Sequence, residues 1–234
     1  MKDRSSDKEK LDDLNLHGEP LYKALQSLEW VNRWFGNHRF VIEAIHRIYK
    51  KEEGPLCITD LGCGGGDLAL AVAKSLRQQK IKCTITGIDG NVNTVAYAQK
   101  KCAAYNEINF LQADILDKQF SIPPCDILIS SHFMYHFTGD GLVNFLKNNL
   151  SAISTAFIFS ELKRNRSAMR LFKFSSFFLP ISKLAKEDGL LAIKRSFSEK
   201  EWLAILQQAG IETFRLQRVP LFRILLTINP VPKI

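Results

Sequence analysis

A cluster of glycines constrains this chain more than any other feature of the sequence. The segment TDLGCGGGD at residues 59–67 follows an apolar run and precedes a helical pattern. Glycine allows positive φ and carries no Cβ, so a ligand can approach the backbone N–H groups of such a turn closely. The sequence therefore predicts a strand, a ligand-binding turn and a helix, as in nucleotide-binding α/β proteins.

The segments around this turn alternate between short apolar runs and helical patterns. Strands are predicted at PLCITDL, KCTITGID, INFLQA, CDILISS and TAFIFSE, and helices at DLALAVAKSLRQQ, VNTVAYAQKKCAAY and GDGLVNFLKNNLSAI. This alternation is typical of a parallel sheet covered on both faces. A further helix is predicted at SEKEWLAILQQAG, followed by two terminal strands that meet near Pro220. The predicted fold class is α/β and doubly wound.

The chain divides into regions of different composition. Residues 1–18 are polar, and we expect them to be frayed. Residues 19–234 should form one domain, because a length of 234 residues and a hydrophobic content of 46% suit one sizeable core. Within it, 19–53 carries the periodicity of amphipathic helices, and 162–197 is a basic, phenylalanine-rich insertion predicted to form a lid.

Targeting signals and metal motifs are not apparent in the sequence. It holds no run of 18 apolar residues and no basic start followed by an apolar stretch, so we expect a soluble, cytoplasmic protein. The five cysteines are widely separated, without the close pairs of zinc sites, and no metal is predicted.

Positive charge is concentrated in one part of the chain. The net charge is +8, and the window 161–200 contains ten Lys or Arg against four Asp or Glu. Such an excess suits nucleic acid, an anionic membrane surface or an acidic substrate.

The spacing within the glycine cluster indicates the type of ligand. A dinucleotide fingerprint requires a third glycine at position 67, where this chain has aspartate. The pattern is instead Asp60, Gly62, Gly64 and Gly66, an acid followed by alternate glycines. A carboxylate at Asp60 suits a ligand with a positively charged amino acid end, so S-adenosylmethionine is the predicted cofactor.

Two more acids follow the next predicted strands. Asp89 ends the second strand, where a carboxylate can accept hydrogen bonds from two ribose hydroxyls. Asp114 ends the third strand and can accept from the adenine amino group, with Ile115 against the ring. The remaining predicted cofactor contacts are Cys63, Gly90 and Ser130.

As an ordered set, four segments carry a resemblance to a known family. ITDLGCGGGDLALAVA, TGIDGNVNTVAYA, FLQADILD and CDILISSHFMYHF resemble the motifs of class I S-adenosylmethionine-dependent methyltransferases. The resemblance implies a seven-stranded sheet with the last strand inserted antiparallel. More loosely, LEWVNRWFGNHR, LKRNRSAMRLF, AIKRSFSEKEW and VPLFRILL are similar to small bacterial methyltransferases encoded beside polyketide synthases for phenolic or quinone-like lipids.

The acceptor site is predicted just beyond the fourth strand, at SSHFMYHF. His136 is the first candidate for a general base, because imidazole titrates near neutral pH. The alternative is a structural histidine bonded to backbone. Glu161 is the second candidate, and His132, Tyr135 and Arg164 are predicted to contact the substrate.

Three hypotheses about function remain at this point. The first is methylation of oxygen or carbon on a small phenolic, quinone-like or lipidic acceptor, with the phenylalanine-rich segment as an apolar lid that can touch a membrane surface. The second is a nucleic-acid methyltransferase that uses the basic window 161–200. The third is a binding module of the same fold without catalysis, against which the complete glycine and acid pattern argues.

Overall fold

Seven strands form a single sheet in this protein. A computed structural model describes residues 1, 3–49 and 54–229, so residues 50–53 of the predicted N-terminal helical region lie outside the described part. The strands are β1 Leu56–Leu61, β2 Cys83–Asp89, β3 Ile108–Gln112, β4 Cys125–Ser131, β5 Ile153–Leu162, β6 Phe214–Val219 and β7 Arg223–Ile228.

The order of the strands is β3-β2-β1-β4-β5-β7-β6. β1 to β5 pair in parallel, whereas β7 lies between β5 and β6 and is antiparallel to both. The predicted doubly wound sheet with an inserted antiparallel strand is confirmed. The central strands are buried on both faces, which explains their nearly continuous apolar runs.

Helices cover the sheet on both faces. They are α1 Gly18–Trp34, α2 Asn37–Ile48, α3 Asp67–Gln78, α4 Val92–Cys102, α5 Gly139–Asn149, α6 Arg166–Phe178, α7 Lys183–Arg195 and α8 Glu199–Gln208. One core cluster joins α2 and α3 to the sheet, and the other joins α5 and α8 to its opposite face. In the described part of the chain, no helix combines the length and apolar character needed to span a bilayer.

Local signals in the sequence set several of these boundaries. Gly36 adopts the left-handed conformation between α1 and α2. Ser198 accepts from the backbone N–H of Glu201 at the start of α8, and the Glu201 side chain accepts in return from Ser198. These reciprocal bonds form a capping box at the start of the helix predicted at SEKEWLAILQQAG.

The N-terminal segment differs from the expectation that residues 1–18 are frayed. The Arg4 guanidinium donates to the carbonyl oxygens of Tyr135, at 2.7 Å, and Arg195, at 2.6 Å. Farther along, the Asn91 side chain donates to the Leu16 carbonyl at 2.9 Å, and Glu9 is buried. Polar composition suggested fraying, but these polar groups find partners on the domain, so the segment lies as a strap across the carboxyl edge of the sheet.

Candidate functional site

The glycine turn connects β1 to α3, and its glycines have different surroundings. Gly62, Gly64 and Gly66 all have positive φ, at 65°, 50° and 73°. A Cβ on Gly62 would lie 2.3 Å from the Phe133 ring, and one on Gly66 would lie 2.9 Å from the Phe110 ring. A Cβ on Gly64 would meet nothing within 4 Å. Packing therefore requires two of these glycines, whereas the space at Gly64 is free for a ligand.

Asp60 supplies an unsatisfied acid beside this turn. Its side chain is 1% exposed, and no described residue bonds to its Oδ2 atom. Burial, and next the charge of Asp67, raise the pKa of Asp60 well above its ordinary value. A buried carboxyl oxygen without a partner is costly, so a cationic ligand group would be stabilised there.

Asp89 ties the turn to the end of β2. Its Oδ2 accepts from the Gly64 N–H and its Oδ1 from the Asn91 N–H, both at 3.0 Å. The neighbouring Gly90, a predicted cofactor contact, lies under the strap instead. A Cβ there would be 2.9 Å from Leu14, which is the physical reason for this correction.

Three other predicted cofactor contacts have structural roles. Ser130 is fully buried and donates to the Leu61 carbonyl at 2.9 Å. Asp114 is exposed and accepts from the Leu116 N–H, while Ile115 is 3% exposed and packs in the sheet core. None of the three lines the cavity beside the glycine turn.

That cavity has a volume of about 380 Å³ and extends from the turn to the helices α1, α6 and α7. Its wall is mainly apolar. Of the predicted site residues, Asp60, Gly62, Cys63, Gly64, His132 and Tyr135 line it. Its apolar lining includes Leu25, Leu28, Val31, Phe35, Leu162, Ala168, Leu171, Phe172, Ile181 and Ile193.

His132 lies in the cavity wall with an unusual backbone. Its φ is 55°, and its N–H donates to the Ser160 carbonyl at 3.0 Å. No described residue bonds to its Nε2 atom. Burial, and next the charge of Arg223, lower the pKa of His132 to about 3, so the imidazole is neutral at physiological pH.

Tyr135 and His136 are adjacent in sequence, but only Tyr135 lines the cavity. Tyr135 lines the cavity, and its hydroxyl donates to Glu9 at 3.4 Å. His136 does not line it, because its Nδ1 atom lies 3.0 Å from Asp12 of the strap and its ring stacks on Tyr135. The prediction of His136 as the catalytic base is corrected accordingly.

Glu161 and Arg164 also face away from the cavity. Glu161 Oε1 accepts from the N–H groups of Phe133 and Met134, at 3.0 and 3.1 Å. Burial raises the pKa of this carboxyl to about 7. The Arg164 guanidinium lies 2.9 Å from Glu201. Glu161 therefore holds the loop after β4, and Arg164 joins β5 to α8, which corrects their predicted catalytic and substrate roles.

Several cations of the basic window 161–200 are occupied by carboxylates. Lys163 pairs with Glu199 at 2.6 Å, and Arg195 lies 2.7 Å from Asp12 and 3.2 Å from Glu9. Together with Arg164, these pairs link the lid region to α8 and to the strap. Phosphate contacts need accessible cations, so these three of the ten are withdrawn from a nucleic-acid surface, whereas Arg170 and Lys173 stay exposed.

Two charged residues, Asp67 and Arg223, line the cavity although neither is among the predicted site residues. Asp67, at the start of α3, accepts from Asn32 and lies 2.9 Å from His38. Burial acts to raise the pKa of Asp67, but the bonds from His38 and Asn32 lower it to about 2. Arg223, at the start of β7, is 3% exposed. Asp67 ends the glycine segment and Arg223 lies in VPLFRILL, but neither is predicted to line the site. Asn32, His38 and Phe35, which contact them, come from the distant region of α1 and α2.

The family described as methyltransferase domain matches residues 58–154, which include the glycine turn and the edge of the sheet beyond it. Over that stretch the chain is similar to methyltransferase domains. Its fold is that of the class I S-adenosylmethionine-dependent methyltransferases. The open cradle at Gly64 and the orphaned oxygen of Asp60 fit S-adenosylmethionine, the cofactor that the sequence predicts.

Solved structures share this fold. A putative O-methyltransferase from Nostoc punctiforme has a TM-score of 0.64 at 13% identity, covering 97% of this chain and 64% of that one. Human N-acetylserotonin methyltransferase in complex with S-adenosylmethionine has a TM-score of 0.60 at 17% identity, covering 94% of this chain and 61% of that one. Magnesium protoporphyrin IX methyltransferase from Synechocystis has a TM-score of 0.53 at 19% identity, covering 82% of this chain and 83% of that one. This chain spans less than two thirds of the length of the Nostoc and human proteins. The search of curated protein sequences found no match.

Proposed function

We propose that this protein transfers a methyl group from S-adenosylmethionine to oxygen or carbon of a small apolar acceptor held in the cavity. The observation that carries the proposal is the continuity between the glycine turn and the apolar wall built by α1, α6 and α7. A phenolic, quinone-like or lipidic acceptor suits that wall. Two proteins of the same fold are named for methylating small molecules, N-acetylserotonin and magnesium protoporphyrin IX.

The proposed cofactor contacts are the groups at the turn. Asp60 faces the ammonium of the amino acid end, Gly64 leaves room for the cofactor backbone, and Asp89 stands at the edge where a ribose would lie. Gly62, Cys63 and Gly66 shape the turn. When bound, S-adenosylmethionine supplies an electrophilic methyl group.

Positioning and exclusion of water are the proposed contributions of the chain to catalysis. Methyl transfer is an in-line displacement, so an acceptor atom held in line with the methyl group gains most from a fixed geometry. The apolar wall excludes water from the reacting atoms. Of the predicted acceptor contacts, His132 and Tyr135 are retained here as residues that orient the acceptor.

A cavity-filling variant tests this proposal. Ala168 lies on α6, is 7% exposed and lines the cavity, so Ala168→Phe should remove acceptor space without touching the turn. We expect turnover of apolar phenols and quinols to fall about tenfold or more, since a misplaced acceptor loses its alignment. Affinity for S-adenosylhomocysteine, measured by calorimetry, should stay within about twofold.

The control for this experiment is Ser167→Phe, the same change at the exposed neighbouring position. It should leave both turnover and cofactor affinity unchanged. If Ala168→Phe turned over acceptors as fast as the wild type, the acceptor would bind elsewhere.

We also propose that α6 rests on an anionic lipid surface. Phe174, Phe177 and Phe178 are 69%, 80% and 69% exposed, and their rings contact one another. Exposed cations, Arg170 and Lys173, lie on the same helix. Apolar rings beside cations complement an anionic membrane surface, and contact there would bring a lipophilic acceptor to the cavity.

Vesicle sedimentation tests this surface. The triple variant Phe174→Ser, Phe177→Ser, Phe178→Ser should bind vesicles of phosphatidylglycerol and phosphatidylcholine at least about tenfold more weakly, because it loses three apolar rings. Leu203→Ser removes an apolar residue of α8 that is 47% exposed and lies outside this surface, and it should change nothing. Equal binding of the triple variant and the wild type would refute the lipid contact.

A further inference from the structure

The topology of the sheet brings Arg223 to the acceptor end of the cavity. β7 runs antiparallel to its neighbour β5, so its first residue lies at the edge where the parallel strands end. Arg223 pairs with Leu162, the last residue of β5, and His132 follows the end of β4. Both Arg223 and His132 line the cavity.

Arg223 is a buried cation without an acidic partner. No carboxylate of residues 1, 3–49 or 54–229 forms an ion pair with it, and burial lowers its pKa to about 10, so it stays charged at neutral pH. Its Nε donates to the Pro220 carbonyl at 3.2 Å, and its Nη2 donates to the Phe35 carbonyl. These bonds fix the guanidinium, and further N–H donors remain.

The backbone around Arg223 and His132 is held in a costly conformation. Four non-glycine residues of the described chain have positive φ, and three of them, His132, Leu221 and Phe222, line the cavity. Leu221 and Phe222 form the turn that leads into Arg223. Such conformations persist where the surroundings enforce them, and they cluster at ligand clamps.

The acids of the cavity wall do not neutralise this cation. Asp67 bonds to Asn32 and His38, and Asp188 accepts from the N–H groups of Lys10 and Leu11. A separate pair joins Glu9 to Arg195. Asp60 remains, and it lies at the turn, where the proposed function assigns it to the cofactor ammonium.

We propose that Arg223 and His132 form an anion subsite, and that the acceptor is an apolar molecule carrying a carboxylate. One carboxylate oxygen pairs with the guanidinium, and the neutral His132 imidazole donates to the carboxylate through Nε2. The subsite rests on the proposed function and specifies its substrate class. It would reject neutral analogues, because they leave the buried guanidinium without a counter-charge.

Binding of matched probes to the protein saturated with S-adenosylhomocysteine tests this subsite. The probes are a panel of aromatic carboxylates, such as 1-hydroxy-2-naphthoate, each paired with its carboxamide. In the wild type, calorimetry should show the carboxylates binding about tenfold or more tightly than the amides. Arg223→Met should abolish that preference and leave affinity for S-adenosylhomocysteine within about twofold.

The matched control is Arg218→Met, which removes an exposed arginine of β6 that pairs with Glu199. It should keep the carboxylate preference. His132→Phe provides a second variant, which should weaken carboxylate binding more than amide binding if Arg223→Met does not fold.

Other outcomes overturn the subsite in distinguishable ways. Equal binding of carboxylates and amides by the wild type would refute it while leaving the proposed function intact. A parallel loss of S-adenosylhomocysteine affinity in Arg223→Met would refute it by assigning the guanidinium to the cofactor carboxylate. If neither the carboxylate nor the carboxamide of any pair bound, both the anion subsite and the proposed acceptor cavity would be refuted.

Discussion

Replacing Gly64 with valine should abolish binding of S-adenosylhomocysteine while the protein still folds. A Cβ at this position would meet nothing within 4 Å, so the side chain would project into the space assigned to the cofactor. The positive φ of 50° adds strain of about 1–2 kcal/mol, which a domain of this size can tolerate. Calorimetry should show at least about a hundredfold loss of affinity, with a circular dichroism spectrum like that of the wild type.

Gly210 offers a matched control for this variant. It has a φ of 72°, a Cβ there would also meet nothing within 4 Å, and it lies after α8, outside the cavity. Gly210→Val therefore introduces similar strain and should keep cofactor affinity. If Gly64→Val bound S-adenosylhomocysteine as well as Gly210→Val does, the cofactor would not cross the turn at Gly64.

Binding of the cofactor should release a proton from Asp60. In the free protein, burial raises the pKa of this carboxyl well above its ordinary value, which favours the protonated form. A bound ammonium favours the carboxylate and lowers that pKa, so binding expels the proton. Affinity should rise with pH, by up to about tenfold per unit, until the pH passes the pKa of the free protein. Calorimetry in buffers of different ionisation enthalpy measures the released proton directly.

Asp60→Asn should bind the cofactor more weakly and release no proton from this position. Asp67→Asn separates the two causes of the raised pKa, because it removes the charge of Asp67 and leaves Asp60 buried. That variant should release a smaller fraction of the proton, but should still release it. Proton release that persisted in Asp60→Asn would show that another group meets the ammonium.

Local patterns in the sequence were sufficient for the sheet and its glycine turn. The parallel strands are short buried runs, and the turn is marked by the glycines at positions 62, 64 and 66, all of which have positive φ. The capping box at Ser198 likewise involves residues three apart. Features of this kind depend on neighbours in the chain, which a single sequence displays.

The acceptor side of the site depends on distant partners, and there prediction failed more often. His136 has the chemistry of a base, but Asp12 of the strap binds it from 124 residues away. Glu161 is committed to two backbone N–H groups after β4. Polarity at a strand end does not reveal whether a side chain is already satisfied.

Arg223 illustrates the opposite error: it lies in VPLFRILL, one of the segments that carry the looser resemblance, but no site role is predicted for it. The turn before it contains neither glycine nor asparagine, the residues that usually mark positive φ, so the sequence VPLFRILL looks like ordinary strand. Only the antiparallel insertion of β7 places its first residue beside the end of β5. Tertiary topology, rather than local composition, determines this part of the wall.

Calorimetric titration of the wild-type protein with S-adenosylhomocysteine decides whether the glycine turn binds this cofactor. We expect binding at one site per chain with a dissociation constant on the order of micromolar. Absence of binding at concentrations well above that range would contradict it, since the open cradle at Gly64 and the unpaired oxygen of Asp60 would then have no ligand.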